Sequence, residues 1–298
     1  MTKAGVLGQI LSVLTLSGAA AAQTPSGLLE KSTATTGKTD VAAEGFEKRV
    51  DAGEPNDATE LSFNAGAFLA SGNSRSVAAT FAEQFRLRRD VHQFSLSSSV
   101  NYGRSAPDPE SGLETTVENY QARTRYDLFL GKGVALFLGA SARKDRFQGL
   151  DLRLNVAPGV AYYFIDDPAH QLWTELGYNL QYDLRSNEVI ETAEDEGVAV
   201  AEHETRHFAR AFVGYSNKLN DAVTFTTGFE YLFGISPFED EETGRNNWRI
   251  SWTAGFTSKV SDKLSVATTL GVDHDNNPLP GVRRTDATTA INLVYTLP

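Results

Sequence analysis

The chain has 298 residues, no cysteine and a formal net charge of −11. The lack of cysteine excludes a small secreted domain held together by disulfides, and the acidic balance argues against nucleic acid as a partner. No stretch of about 18 or more apolar residues occurs, so the sequence predicts no membrane-spanning helix.

The N-terminus has the layout of a secretory signal peptide. Lys3 supplies positive charge, the apolar run AGVLGQILSVLTLSG follows, and Ala20-Ala21-Ala22 is typical of a cleavage site. We therefore expect residues 1–22 to be a signal peptide; a buried N-terminal helix is the alternative. Residues 23–58 are rich in Thr, Ala, Gly, Glu and Lys, which predicts a flexible periplasmic segment.

In the remainder of the chain, apolar and polar residues alternate with a period of two, which indicates strands. In residues 150–164, for example, Leu152 and Leu154 lie on the face opposite Arg153. Many of the segments are longer than the five or so residues usual in soluble sheets. Twelve segments are predicted, at 59–70, 75–88, 92–104, 115–130, 133–146, 150–164, 170–185, 202–217, 221–236, 246–260, 263–274 and 284–297.

The links between these segments are of two kinds. Short links follow the even-numbered segments, whereas longer polar loops follow the third, seventh, ninth and eleventh. Such asymmetry is typical of outer-membrane barrels, so we predict that residues 59–298 form an all-β, antiparallel up-and-down transmembrane barrel of about 12 strands. A soluble secreted β-sandwich is the alternative, because alternation alone does not say whether the apolar face meets lipid or a second sheet.

Two further patterns fit a barrel. Aromatic residues cluster toward segment ends, as in an interfacial girdle, at Tyr102, Phe129, Tyr162, Phe164, Tyr182, Tyr215, Tyr231, Phe233 and Trp248. Charged residues occupy the opposite face, and those predicted to line the lumen are Arg123, Arg125, Asp127, Asp151, Arg153, Glu175 and Asp183. They would either plug the lumen with salt bridges or border a narrow polar path, and the sequence leaves both open.

The segment HETRH at 203–207 matches the zinc-protease pattern H-E-x-x-H. On a helix, His203 and His207 would share one zinc ion with Glu204 as general base. On a strand, the two histidines would lie about 13 Å apart, too far for one ion. Alternation is weak here because Phe208 and Phe212 fall on the polar face, but without this strand the count becomes odd and the loop alternation fails. We therefore predict a strand and a chance match.

The sequence thus predicts no catalytic, cofactor-binding or metal-binding residue, and no cofactor. A barrel enzyme that hydrolyses lipid or peptide is the alternative function, since Ser, His and carboxylate residues are all present. Residues 186–204, 239–242 and 273–277 are acidic, and their oxygens would suit divalent cations such as Ca²⁺. A solvated charged loop is the simpler interpretation of each.

Three stretches carry a family resemblance. LSFNAGAFLASGNSRSVAATFAEQFRLRRDVHQFSLSSSVNYG at 61–103, ENYQARTRYDLFL at 118–130 and DRFQGLDLRLNVAPGVAYYF at 145–164 resemble domain of unknown function 481, also described as salt-induced outer membrane proteins. The resemblance implies a Gram-negative outer-membrane barrel, and from its charged lumen we expect a structural or narrow-pore role. Its partners would be the lipid bilayer, lipopolysaccharide and the barrel-assembly machinery. The resemblance implies no activity and no catalytic residues.

Overall fold

The computed structural model contains a closed β-barrel. It describes residues 57–70, 75–106, 112–131, 133–167, 169–195, 197, 199–235, 247–261, 263–278 and 284–297. The predicted signal peptide and nearly all of the segment 23–58 lie outside these ranges, as does the acidic loop 239–242.

Twelve strands occur in the described part of the chain, and each begins and ends within two residues of a predicted segment. The strands are β1 Asp57–Ala70, β2 Arg75–Arg89, β3 His92–Ala106, β4 Glu114–Gly131, β5 Val134–Asp145, β6 Leu150–Asp166, β7 His170–Arg185, β8 His203–Lys218, β9 Val223–Gly234, β10 Trp248–Lys259, β11 Leu264–Asp275 and β12 Thr285–Leu297.

Every strand pairs antiparallel with its neighbours in sequence, and β1 pairs with β12 to close the barrel. The closing register runs from Leu61 opposite Leu297 to Ala65 opposite Leu293. Closure leaves no open sheet edge, so backbone N–H and C=O groups find partners without water, as a bilayer requires. The predicted fold class is therefore confirmed.

The outer wall of the barrel is apolar and exposed. Leu176 on β7 is 63% exposed and Ile291 on β12 is 68% exposed. A soluble sandwich would bury these side chains between two sheets, so the sandwich alternative is wrong. The exposed apolar wall is the surface that a membrane barrel presents to lipid. No helix in the described part of the chain is long and apolar enough to span a bilayer.

The aromatic girdle is present with one exception. Tyr102, Tyr162 and Phe164 are exposed on the outer wall, as predicted. Phe129 is only 4% exposed and lies inside the barrel, which corrects its assignment to the girdle. The period of two explains the error, because Phe129 shares its face of β4 with Asp127 two residues before it.

One helix was not predicted. The connection after β7, predicted as a polar loop, contains helix α1, Asn187–Asp195. Its first turn forms when the Ser186 carbonyl accepts the amides of Val189 and Ile190. Val189 packs against Gly149, whose positive φ of 64° and missing side chain permit the contact. The helix thus lies against the turn between β5 and β6, at the end of the barrel with the long loops.

Candidate functional site: the constricted lumen

Six of the seven residues predicted to line the lumen lie on the inner wall. They are Arg123, Arg125, Asp127, Arg153, Glu175 and Asp183. Asp151 does not, and its prediction is corrected. A register shift between Leu150 and Leu152 interrupts the alternation of β6, so Asp151 lies outside and pairs with Lys144 at 3.1 Å, with both side chains about half exposed.

A chain of ion pairs links the inner faces of β4, β7, β8 and β9. Arg125 donates through Nη2 to Asp127 at 2.8 Å and through Nη1 to Glu175 at 3.0 Å. Arg210 joins Glu175 at 2.7 Å to Glu230 at 2.6 Å. We call these five residues the central ion network. Their side chains are between 0% and 10% exposed, so water is almost excluded from them.

One ion pair of the central ion network crosses part of the lumen. Arg125 lies on β4 and Glu175 on β7, so their contact passes over β5 and β6, whereas the two pairs of Arg210 join the neighbouring strands β7, β8 and β9. The guanidinium of Arg125 rests above the ring of Phe137 on β5, 4.2 Å from its centroid. Such a contact adds cation–π attraction to the ion pair. The side chains of Arg125 and Glu175 therefore extend into the lumen and narrow it.

A layer of aromatic rings begins beside this network and extends toward the short-turn end. We call Phe129, Phe137, Tyr163, Trp173 and Phe212 the aromatic layer; with Ala135 and Ala161 they form one buried cluster. Ring centroids are 6.2 Å apart for Phe129 and Tyr163, 6.3 Å for Tyr163 and Trp173, and 6.0 Å for Trp173 and Phe212. Arg88 stacks on Phe129 at 3.7 Å. The layer fills part of the lumen toward the periplasm.

A second set of charges lies nearer the long-loop end. Arg153 donates to Asp183 through Nε at 2.6 Å and through Nη2 at 2.7 Å. Arg249 on β10 pairs with Asp275 at 2.9 Å and donates to Gln181 on β7 at 3.0 Å. The contact to Gln181 again crosses the lumen, because β8 and β9 separate the two strands.

The opposite part of the inner wall carries short polar side chains. On β3, β10 and β11 the inward positions hold Ser95, Ser97, Ser251, Thr253 and Thr269. These side chains reach only a short way into the barrel. Long charged and aromatic residues are thus concentrated on β4 to β9, whereas the described inner faces of β3, β10 and β11 include several small hydroxyl residues beside Arg249.

The family model described as "Protein of unknown function, DUF481" matches residues 63–297. The chain belongs to this family. The match confirms the resemblance and covers the whole barrel except its first six residues, 57–62. No curated protein matches the sequence.

Solved structures similar to this DUF481 barrel include two porins and a channel. The NanC porin is 8% identical with a TM-score of 0.45, and the match covers 80% of this chain and 97% of that one. The KdgM porin in complex with disordered oligogalacturonate is 10% identical with a TM-score of 0.42, covering 81% and 100%. An outer membrane channel from Pseudomonas putida F1 is 12% identical with a TM-score of 0.42, covering 83% and 99%.

The location of the DUF481 barrel follows from its exterior. A closed antiparallel barrel with an apolar outer wall and aromatic residues near its strand ends is the form that proteins take in bacterial outer membranes. The predicted outer-membrane location is confirmed. The apolar outer wall requires a lipid bilayer around it.

The zinc-protease pattern of the DUF481 chain lies on β8, so the predicted strand is confirmed. His203 and His207 point outward and hydrogen-bond through Nδ1 to the hydroxyls of Tyr182, at 2.9 Å, and Tyr178. Glu204 points inward and accepts hydrogen bonds from Arg185 and Arg206. The two histidines are about 13 Å apart along the strand, and the carboxylate faces the other way.

Carboxylates at the long-loop end of the DUF481 barrel are engaged by protein groups. Asp273 accepts a hydrogen bond from Ser251 at 2.6 Å, and Asp275 is paired with Arg249. Within the described residues, no group of three or more His, Cys, Asp or Glu side chains is arranged to hold a metal ion. The acidic loop 239–242, whose oxygens would suit divalent cations but which is more simply interpreted as a solvated loop, lies outside the described ranges.

The sequence revealed only part of this site. Arg210 and Glu230 complete the central ion network, yet neither was among the predicted lumen residues. The aromatic layer was also missed. A signal was available, because Phe208 and Phe212 broke the alternation of the eighth segment. Both are inward, at 1% and 3% exposure, so what looked like a weak strand is a strand with an aromatic inner face.

Proposed function

We propose that this barrel is a narrow pore in the outer membrane of a Gram-negative bacterium, with its bore set by the central ion network. The observation that carries the proposal is the ion pair between Arg125 on β4 and Glu175 on β7, which passes over β5 and β6. Long side chains that meet there narrow the lumen, so their positions set its bore.

The cost of burying charge supports a pore over a purely structural barrel. Taking ions out of water is expensive, and well-packed apolar residues of similar volume are often as stable or more stable. A barrel whose lumen only has to be filled gains little from arginine and glutamate. Twelve strands enclose more space than the eight whose interiors side chains can fill, so a polar interior suits a path for water and small solutes.

The charges near the constriction favour anions. Arg88 and Arg123 are buried on the inner wall of β2 and β4. With Arg125 and Arg210 they make four arginines against the three carboxylates of the network. Rings of basic side chains in a pore attract anions and repel cations. We therefore infer that the pore prefers small anions.

Replacing Arg125 with alanine tests the proposal. The change removes the side chain that bridges β4 and β7, so the bore widens and one positive charge is lost. We expect single-channel conductance in planar bilayers to rise at least about twofold, because pore diameter sets flux. The reversal potential in a KCl gradient should shift toward a weaker preference for chloride.

Lys144→Ala is the matched control, because Lys144 lies on the outside of the barrel in an exposed pair with Asp151. It should leave the single-channel conductance and the reversal potential unchanged. Equal conductance for the native chain and Arg125→Ala would show that ions do not pass the network. Silent bilayers for both proteins would overturn the pore and leave a structural barrel.

Two partners and one targeting step go with this proposal. We infer that lipopolysaccharide surrounds the long-loop rim, where Lys144 and Arg146 are about half exposed and able to meet phosphate groups.

We also infer that residues 1–22 direct export and that the barrel-assembly machinery inserts the chain. Export itself is tested by the mass of the mature N-terminus, which should begin at Gln23.

A further inference from the structure

One carboxyl group faces the lipid at mid-membrane. Glu83 lies on β2 between Phe81 and Phe85, on the same outward face. Val77 and Leu87 continue that face, about 20 Å from Glu83 in one direction and about 13 Å in the other. Ionisable side chains at such depth are costly and usually serve a function. The central ion network does not use Glu83, since that network lies on the inner wall.

The neighbours of Glu83 form a patch with two halves. Ser98 on β3 is its register partner and donates a hydrogen bond to Oε1 at 3.2 Å. Beyond Ser98, the outward positions nearest to it on β4 and β5 carry small residues, Ala122, Thr124, Ala140 and Ala142, between the larger Tyr120 and Leu138. On the β2 side stand the large rings of Phe81 and Phe85. A ridge and a shallow depression thus lie side by side.

We propose that this patch is the contact surface through which two copies of the barrel associate. Both copies enter the membrane in the same orientation, so a two-fold axis between them must run along the membrane normal. Rotation about such an axis keeps every residue at its depth. An axis between β2 and β3 therefore brings Glu83 of one copy to Ser98 of the other.

The patch is complementary to itself in shape and in hydrogen bonding. Under the same rotation, the Phe81 and Phe85 ridge of one copy meets the depression at Ala122 and Ala142 of the other. Small residues let two backbones approach closely, which is how membrane proteins gain contact without a hydrophobic driving force. Each Glu83 carboxyl gains a second hydroxyl donor and is withdrawn from lipid.

Cross-linking through engineered cysteines tests the contact, because the chain has no cysteine of its own. Val100→Cys lies two residues from Ser98 on the outward face of β3, where the valine is 40% exposed. Val213→Cys on β8 is the matched control, since this valine is 46% exposed on the far side of the barrel. The full chain is treated in its native membrane with a short bifunctional thiol reagent.

We expect Val100→Cys to give a product of twice the monomer mass and Val213→Cys to give almost none. Adding Glu83→Leu should remove most of that product, whereas Glu83→Gln, which still accepts from Ser98, should keep it. Folding of each variant is checked by heat-modifiable gel mobility. Ala122→Trp fills the depression without touching Glu83 and should also abolish the product, so the test survives if Glu83→Leu does not fold.

Three results would overturn the proposal. Equal yields from Val100→Cys and Val213→Cys would indicate random collision in the membrane. A full yield with Glu83→Leu, or with Ala122→Trp, would show that the patch does not hold the copies together. A Val100→Cys product of another mass would identify a different protein as the occupant. None of these readings depends on whether the lumen conducts.

Discussion

Arg210→Met is expected to lower the free energy of unfolding by about 3–5 kcal/mol, the usual cost of removing one partner from a buried ion pair. Arg210 lies between Glu175 and Glu230, and neither carboxylate is more than 1% exposed. Without the guanidinium, Glu230 loses the cation at 2.6 Å from its Oε1. Glu175 keeps Arg125, so most of the loss should come from Glu230.

Urea unfolding of the barrel in detergent or liposomes measures this loss, with Lys144→Met as the matched control. Lys144 also pairs with a carboxylate, but the pair is about half exposed and exposed pairs contribute only about 0–1 kcal/mol. Combining Arg210→Met with Glu230→Met should restore at least half of the lost stability, because no buried carboxylate is then left without its cation. A loss no larger than that of Lys144→Met would show that water reaches the network.

The strands were predictable because a membrane barrel imposes two solvents on each of them. One face meets lipid and the other a polar lumen, so the period of two persists through segments such as β6 and β7. A soluble sheet with one solvated face gives the same alternation, and only strand length and loop asymmetry separated the two. Those features report the thickness of a bilayer and the two sides of a membrane, which is why they identified the correct fold.

The lumen was less predictable, because its contacts depend on the curvature and registers of the closed barrel. Arg125 and Glu175 come from strands that are not neighbours, and no periodic pattern states that they meet. β-Bulges also limit how well the sequence predicts which residues face the lumen. Asp151 follows the alternation of its segment, but the register shift beside it turns its side chain outward. A single extra residue reverses the assignment of one position while the strand itself is placed correctly.

The aromatic layer depends on a glycine in the strand beneath it. Gly214 on β8 lies under Trp173 of β7, its register neighbour. A methyl group at Gly214 would lie 2.3 Å from Cζ2 of Trp173 and 2.6 Å from Cη2, far inside van der Waals contact. The indole is 1% exposed and held between Tyr163 and Phe212, so it has little room to move. Gly214→Ala should therefore destabilise the barrel by about 1–3 kcal/mol, as overpacking does.

A smaller ring at position 173 tests whether the clash with the indole causes this loss of stability. The atoms that the new methyl group meets belong to the six-membered part of the indole, which the smaller ring of phenylalanine does not reach. Trp173→Phe combined with Gly214→Ala should therefore be more stable in urea than Gly214→Ala alone. Gly112→Ala is the control, since a methyl group there meets nothing within 4 Å and should leave stability unchanged. If the double variant is no more stable than Gly214→Ala, the cost comes from the backbone of β8 and not from the aromatic layer.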